Sequence, residues 1–544
     1  MLWIALHLPL LSLESFAATL LREAPTRPKP GDEPGAATAT ATATEPPLAL
    51  MDARCIVSAN PAAHAFGVRP GLKRATALAL APQLVLGQAH PARDARALLA
   101  VAHAALAFTP AVVVPPAHDP TTTAAAADTV LLEVQRSLRY FGGLPSLLQR
   151  LKQALAPLGH RVHAVSAPTP QGAALLARVH TEWHGHDLNT LCTALDAAPV
   201  WLLAPGREHW DALQGMGLRT LGDLQRLPRA GLARRFGEAL LDELDRARGT
   251  RPDPREPIVL PSSFDSRLEL FARADTTEQV LFGAGVLLQR LVAWLSAQHA
   301  FVRRFTLVMQ HEPRRRSGPE SATATRLDIA LAEPSRDAAH LQLLLRERLA
   351  VLELPAPTLD LRLLADDIAH RAPPNGELFP TPGSESEGLT RLIERLQARL
   401  GPEQVQRLVQ VQDHRPERAS VLHPADLRGS DAKGTRGAAG KAKDRADAPG
   451  PRAPALPSSC PVWLLHPPVP LAERHARPVL DGQALQLLSG PERVEAGWWD
   501  AALAERDYFI AQTPEGALVW IYRARLPLSV SAGEQGWFMQ GRFA

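Results

Sequence analysis

The apolar run at the N-terminus, Leu2-Trp3-Ile4-Ala5-Leu6-His7-Leu8-Pro9-Leu10-Leu11-Ser12-Leu13-Glu14, constrains the fold most. It reads as a buried strand leading, past a proline, into a helix. No positively charged segment precedes it and Glu14 follows directly, so it does not read as a secretory leader. A second strand is expected at Ala127-Asp128-Thr129-Val130-Leu131-Leu132-Glu133-Val134, where side chains alternate between two faces. Further strands are expected in Leu48–Ser58 and Arg161–Ser166, and helices over Leu72–Ala81, Arg93–Ala107 and Leu144–Leu158. The last carries Leu147, Leu148, Leu151 and Leu155 on one face. Strands and helices in this succession suit an α+β layer with helices on one side.

A chain of 544 residues has room for three or four domains, and its 46% hydrophobic content supports real cores. Residues 1–180 read as the first α+β region, with a low-complexity Ala-Thr and Pro-rich insertion at 24–47. Residues 190–255 read as helical. Over 262–371 the pattern is strand, helix, strand, strand, helix, strand. It includes a long helix at Thr276–Gln298, strands at Arg303–Gln310 and Thr325–Ala330, and a helix at Arg336–Leu352. A segment at 372–428 leads to a linker, 429–457, rich in Ala, Gly, Lys, Asp and Pro and expected to be disordered. Residues 458–544 read as a small β-rich module with clustered aromatics, whose tryptophans serve either as an interface or as a core. The net charge of +3 gives no global basic field, so nucleic-acid binding has to come from local patches. Cys55, Cys192 and Cys460 are far apart and form no C-x-x-C, which disfavours a zinc site or a disulfide framework. No run of about twenty apolar residues is expected to span a bilayer. The chain is therefore expected to be cytoplasmic, with no membrane partner.

Three motifs carry chemistry by their gaps. The first run resembles the opening palm strand of Y-family (translesion) DNA polymerases, roughly V-D-M-D-x-F-F-A-x-V-E. Glu14 matches, but the metal-binding aspartate falls on Ala5 and the second aspartate on His7. The strand at 127–134 resembles S-x-D-E-A-x-L-D-V: Asp128 keeps one ligand, and Thr129 stands where the catalytic glutamate would be. The segment Ser58-Ala59-Asn60-Pro61-Ala62-Ala63-His64-Ala65-Phe66-Gly67-Val68-Arg69 resembles the fingers motif A-N-Y-x-A-R-K-F-G-V-R, with Pro61 and His64 replacing the tyrosine and arginine that hold a triphosphate. Ala167-Pro168-Thr169-Pro170 stands near the family's A-P-N-K, without the lysine. Two-metal phosphoryl transfer needs clustered carboxylates, and Mg²⁺ is held poorly by one. The resemblance therefore implies an α+β palm, fingers and thumb plus a little-finger domain, with no metal, cofactor or catalytic residue. Gly215-Met216-Gly217 with Thr220-Leu221-Gly222-Asp223-Leu224 resembles the thumb's helix-hairpin-helix element, whose glycines present amides to a phosphate. Arg303, Arg304, Arg314, Arg315, Arg316 and Arg326 gather charge near the little-finger strands, either as a solvated surface or as contacts to backbone phosphates that read no sequence.

A degenerate Y-family core joined to a tail with P-E-R-V-E-x-G-W-W and R-D-Y-F resembles the ImuB family. That resemblance implies a non-catalytic adaptor in DNA-damage-induced mutagenesis, with primer-template DNA bound weakly. Its implied partners are the sliding clamp, an error-prone C-family DNA polymerase and a RecA-like protein, ImuA. Asn375-Gly376-Glu377-Leu378-Phe379 partly matches the clamp peptide Q-L-x-L-F, with Leu378 and Phe379 as apolar anchors in a Pro-rich stretch. Two other readings stay open: an active Y-family polymerase drawing carboxylates from Glu133 or Asp52, and a structural DNA-binding module outside replication. His180 and His184, four apart and close to His186 and Asp187, would share a helix face, as metal ligands or as a solvated helix end. No P-loop is present.

Overall fold

From the N-terminus, β1 (Trp3–His7) passes through the Pro9-Leu10 turn into α1 (Leu11–Ala17), followed by β2 (Leu48–Met51) and β3 (Ile56–Ala59). Then come α2 (Pro61–Ala65), α3 (Arg74–Leu80), β4 (Val85–Gln88), α4 (Pro91–Leu106), β5 (Val112–Val113) and β6 (Thr129–Glu133). Next are α5 (Leu138–Phe141), α6 (Leu144–Leu155), β7 (His163–Ala167), α7 (Pro170–Leu176) and β8 (Glu182–His184). The computed structural model describes residues 1–20, 46–114, 128–313, 323–370, 382–425, 460–500, 502–525 and 536–543.

β1 is the middle of a five-stranded sheet ordered β5-β6-β1-β7-β8. Its register puts Ala5 between Leu131 and Val165, and His7 between Thr129 and His163. The two-residue period then gives each face its own core. Ile4, Leu6, Val130, Leu132 and Ala164 pack with Val101 and Ala105 of α4 and with Leu147, Leu148, Leu151 and Leu155 of α6. Trp3, Ala5, Leu131, Val165 and Ala167 turn the other way, into a cluster with Ala173 and Leu176 of α7 and the helices that follow. A smaller sheet, β3-β2-β4, carries α2 and α3. Asn60 sets its geometry: its side-chain oxygen accepts from the amides of Leu48 and Ala63 at 2.9 Å each, and its amide donates to the Pro46 carbonyl. Pro61 occupies the first turn of α2, where a missing N–H costs nothing.

A helical segment follows: α8 (Leu188–Ala197), α9 (Ala204–Glu208), α10 (Trp210–Gly215), α11 (Leu221–Gln225), α12 (Arg229–Phe236) and α13 (Glu238–Arg248). Beyond it stand β9 (Phe264–Ala274), α14 (Thr277–Ala297), β10 (Ala300–His311), β11 (Ala324–Ser335), α15 (Ala338–Ala350) and β12 (Thr358–His370), in the expected order. These strands form an antiparallel sheet, β11-β10-β12-β9, with α14 and α15 against its apolar face. α14 starts at a capping box in which Thr276 and Gln279 satisfy each other's amides. One expectation is corrected here. α14 is 21 residues long with a window of mean hydropathy 1.6, enough by length and composition to cross a membrane. That apolarity has a local cause: Leu287, Leu288, Leu291, Trp294 and Leu295 are buried against the sheet and α15, while Ala293 joins the core under α4. The helix α16 (Pro382–Leu400) docks on α15 through Glu394, which lies 2.9 Å from His340 Nε2. The same carboxylate also accepts the amides of Ala332 and Glu333 on the edge strand β11.

The unit Met1–Arg399 is distinct from the unit Leu400–Ala544. The second begins with a hairpin, β13 (Gln406–Gln410) and β14 (Ser420–Pro424). A seven-stranded sheet follows: β15 (Trp463–Arg474), β16 (Arg477–Leu480), β17 (Gln483–Ala484), β18 (Gln486–Ala496), β19 (Ala504–Gln512), β20 (Leu518–Ala524) and β21 (Gly536–Arg542). The fold is thus an α+β core with a β-rich C-terminal module. The tryptophans of that module divide: Trp520 and Trp537 are in its cores, and Trp463, Trp498 and Trp499 are exposed. Arg415, in the segment after the hairpin's first strand, is 2% exposed and is held by both Asp413 and Asp500. Residues 400–425 therefore pack as part of this module.

Candidate functional site

The motif positions of the palm converge. His7 and Thr129 are register partners, and Asp128 immediately precedes β6. One carboxylate oxygen, Asp128 Oδ1, lies 3.3 Å from His7 Nδ1 and 3.2 Å from Arg178 Nη2, and it accepts a 3.1 Å hydrogen bond from the Thr129 hydroxyl. Burial by itself would raise the Asp128 pKa, but the bond and charge of His7, with Arg178 and Thr129, outweigh it and hold the carboxyl below the usual carboxylate range. Burial works the other way on Arg178 and lowers its guanidinium, which Asp128 offsets in part. Ala5 lies on the same face, two residues along β1, and is fully buried.

This set does not fit a two-metal centre. Such a centre needs carboxylates from adjacent strands to hold two divalent ions about 3.5–4 Å apart. Ala5 supplies no oxygen, Thr129 spends its hydroxyl on Asp128, and Asp128 already faces a guanidinium. The alternative carboxylates lie elsewhere. Glu133 is four residues from Thr129 on β6, about 13 Å by strand rise, and accepts the Gln135 amide. Asp52 is committed to the turn before β3, where it accepts the amides of Arg54 and Cys55. Among the described residues no group of three or more His, Cys, Asp or Glu is placed to hold a metal ion.

The ion cluster has a pH signature. A carboxylate held below its ordinary value gives stability that is complete above that value, about 4, and lost as pH falls through the depressed one. The parent protein should therefore lose thermal stability relative to an Asp128→Asn variant only below about pH 4. A difference in melting temperature between the two that stays constant from pH 7 to pH 3 would count against this account.

In the fingers-like sheet, Pro61 and His64 are both exposed, on a five-residue helix fixed by the Asn60 cap. Neither offers the always-charged fork that grips a triphosphate. Gly67 has φ +82°, so the turn after α2 needs a residue free of Cβ strain. Thr169 caps α7 by accepting from the Gly172 amide and donates a 2.7 Å bond to the Ala247 carbonyl, while Pro170 is buried. That stretch joins strand to helices.

The candidate nucleic-acid surface has two parts. Gly215 is the exposed last residue of α10, and Gly217 lies in the exposed turn before α11 with φ +76°. The amides of Met216, Gly217 and Leu218 bond back to α10, and those of Arg219 and Thr220 to the Asp223 carboxylate. These five amides are thus already partnered, leaving side chains such as the exposed Arg219 to meet a phosphate. Arg303, Arg304 and Arg326 are exposed on β10 and β11, and among the described residues they have no ion pair. Arg326, Val308, Arg362 and Arg267 form one register row across the sheet, but Arg362 and Arg267 are paired with Asp265 and Asp360. Arg314, Arg315, Arg316 and the candidate clamp residues Asn375, Gly376, Glu377, Leu378 and Phe379 lie outside the described residues. The histidine reading is corrected: His184 sits in β8, parallel to β7, and not on a helix with His180. Its Nδ1 lies 3.1 Å from the Ser166 hydroxyl, and Asp187 caps α8. Arg178 is the functional residue that sequence reasoning missed. It follows α7, fifty residues from Asp128, and no motif marks it.

No protein-family model matches the chain. It is 28% identical to Protein ImuB of Caulobacter vibrioides (strain NA1000 / CB15N) over 492 residues, which are 88% of this chain and 100% of that protein. Protein ImuB of strain ATCC 19089 / CIP 103742 / CB 15 matches with the same figures. Among solved structures, a Dbh ternary complex is similar at 14% identity and TM-score 0.36. DinB from Sulfolobus solfataricus is similar at 16% identity and TM-score 0.35. Each covers 68% of this chain and 99% of its own. Along the whole length of that curated relative, then, the chain is similar to Protein ImuB.

Proposed function

We propose that this chain is a non-catalytic, Y-family-polymerase-like adaptor in error-prone translesion DNA synthesis and DNA-damage-induced mutagenesis. It tethers an error-prone C-family polymerase to the sliding clamp and to primer-template DNA in the cytoplasm, with a RecA-like ImuA protein as further partner. The observation that carries the reading is the state of the palm: its one motif carboxylate, Asp128, is engaged by His7, Thr129 and Arg178, beside a fully buried Ala5. Fold retention without chemistry suits a scaffold, since like charges crowded at a metal-free centre would cost stability. DNA contact through exposed arginines is expected to be weak, salt-dependent and indifferent to sequence.

The test is primer extension by the purified chain with Mg²⁺ or Mn²⁺ and all four deoxynucleotides, run beside sliding-clamp binding. No extension is expected, and Leu378→Ala with Phe379→Ala should abolish clamp binding. Template-directed extension by the parent chain would make it a polymerase. Clamp binding that survives the double change would remove the tether.

A further inference from the structure

A cavity of about 280 Å³ lies where α4 runs beside the edge strand β9. Four arginines line it: Arg93 and Arg96 from the first turns of α4, Arg267 from β9 and Arg290 from α14. Among the described residues, Glu269 is the one carboxylate in the lining. Arg290 is 6% exposed, and among the described residues its hydrogen bonds are long ones to the Ser266 hydroxyl (3.3 Å) and the Arg267 carbonyl (3.4 Å). Among the described residues neither Arg290 nor Arg96 has an ion pair. Arg93 stacks over the Phe16 ring at 5.3 Å, and its buried Nε makes no hydrogen bond among the described residues but lies 3.7 Å from Asp94 Oδ1. Burial and the nearby charge of Arg96 push the Arg290 pKa down to about 10. A guanidinium buried beside a second one, with no carboxylate paired to it, is unfavourable unless an anion joins them.

We propose that this cavity is an anion site that takes a phosphate group, gripped by Arg96 and Arg290, with Arg93 and the Asp360-paired Arg267 at its rim. Guanidinium forks match phosphate oxygens in geometry as well as charge. The first turn of α4, capped at His90, adds the positive end of a sixteen-residue helix. Asp94 in that turn accepts from the hydroxyls of Ser12 and Ser15 and lies 3.7 Å from Arg93 Nε, so Arg96 and Arg290 are the guanidinium groups left without a carboxylate. The phosphate is either a free anion or part of a nucleic-acid backbone. The site stands on these side chains and does not depend on the adaptor reading.

The test is thermal unfolding of the full chain in rising inorganic phosphate, against sodium chloride at equal ionic strength, for the parent, Arg96→Gln and Arg290→Met. A ligand that binds only the folded state raises the melting temperature saturably. The parent should show that rise, and Arg96→Gln, at a half-exposed position, should weaken phosphate about tenfold. Arg290→Met should abolish the response, and Arg96→Gln carries the test if Arg290→Met fails to fold. A labelled single-stranded oligonucleotide separates the two sources. If phosphate competes with it and Arg96→Gln weakens it, the site holds a backbone phosphate; if the oligonucleotide is indifferent to both, the site holds a free anion. No rise beyond the chloride control, or an Arg96→Gln response equal to the parent's, would overturn the site.

Discussion

Trp294→Ala in α14 is expected to destabilise the domain built from β9–β12, α14 and α15 by about 3–5 kcal/mol, the usual cost of emptying a fully buried indole site. Trp294 has no exposed surface, and its ring lies 5.7 Å from that of Phe264 on β9. Its Nε1 donates to the Pro261 carbonyl at 3.2 Å. That carbonyl keeps a second donor, the Gln298 side chain at 3.1 Å, so the expected loss is mainly packing. A domain of ordinary stability has only about 5–15 kcal/mol in total. Trp294→Ala should accordingly uncouple the domain: amides of β9–β12, α14 and α15 should lose hydrogen-exchange protection at urea concentrations where β1, β6 and β7 still hold theirs. Trp294→Phe, which keeps most of the volume, should restore most of the midpoint. Equal urea midpoints for the two variants would show that α14 is not seated on the sheet through this ring. Release of α14 should also cause aggregation, because its apolar face is wide enough to satisfy membrane-span criteria once uncovered.

The same helix shows what can be read in advance and what cannot. Strand, helix, strand, strand, helix, strand over 262–371 is legible because each element is long and its period unmixed. Hydropathy alone cannot say what covers α14, and the answer is a sheet and helices whose residues come from both sides of it in sequence. The palm is legible by parity: once β1 and β6 pair antiparallel, Ala5, His7, Thr129 and Leu131 must share a face. What parity cannot supply is a partner from a third element. Arg178 reaches Asp128 from the turn after α7, and only tertiary packing puts it there. His184 misleads for a related reason: spacing of four suggests a helix, but pairing of β8 to β7 decides the local conformation. The glycines at the end of α10 are recognisable as a tight turn. The amides around them look like phosphate donors in a short motif, which does not reveal that Gly217 bonds back to Gln214 or that the Asp223 carboxylate takes the amides of Arg219 and Thr220 through the helix cap. Likewise, Arg415 joins Asp500 across 85 residues, a distance over which charge pairing cannot be guessed.

Ala5→Asp combined with Thr129→Glu restores the family's carboxylates on paper and should still give no DNA synthesis. The aspartate introduced at position 5 would enter an apolar cluster between Leu131 and Val165, where the native alanine has no exposed surface. Burying an uncompensated polar group costs about 2–7 kcal/mol, depending on what it can reach. The glutamate introduced at position 129 would remove the hydroxyl that bonds Asp128 and add a second carboxylate facing the single guanidinium of Arg178. Even a restored metal pair would lack a grip on the triphosphate, since Pro61, His64 and Pro170 remain in place of the family's tyrosine, arginine and lysine. Burial would raise the pKa of the new carboxyls above their unfolded values, so the destabilisation should be greatest near neutral pH. It should shrink as pH falls toward about 4, where the unfolded chain also binds the protons. Primer extension with Mg²⁺ and Mn²⁺, and melting temperature with and without each ion, read the two halves separately. The expected result is no incorporation and no metal-dependent rise in melting temperature. A rise without incorporation would mean that the palm can still hold ions and that the fingers-like replacements alone prevent synthesis. Incorporation would mean that these two side chains suffice to give the chain polymerase activity.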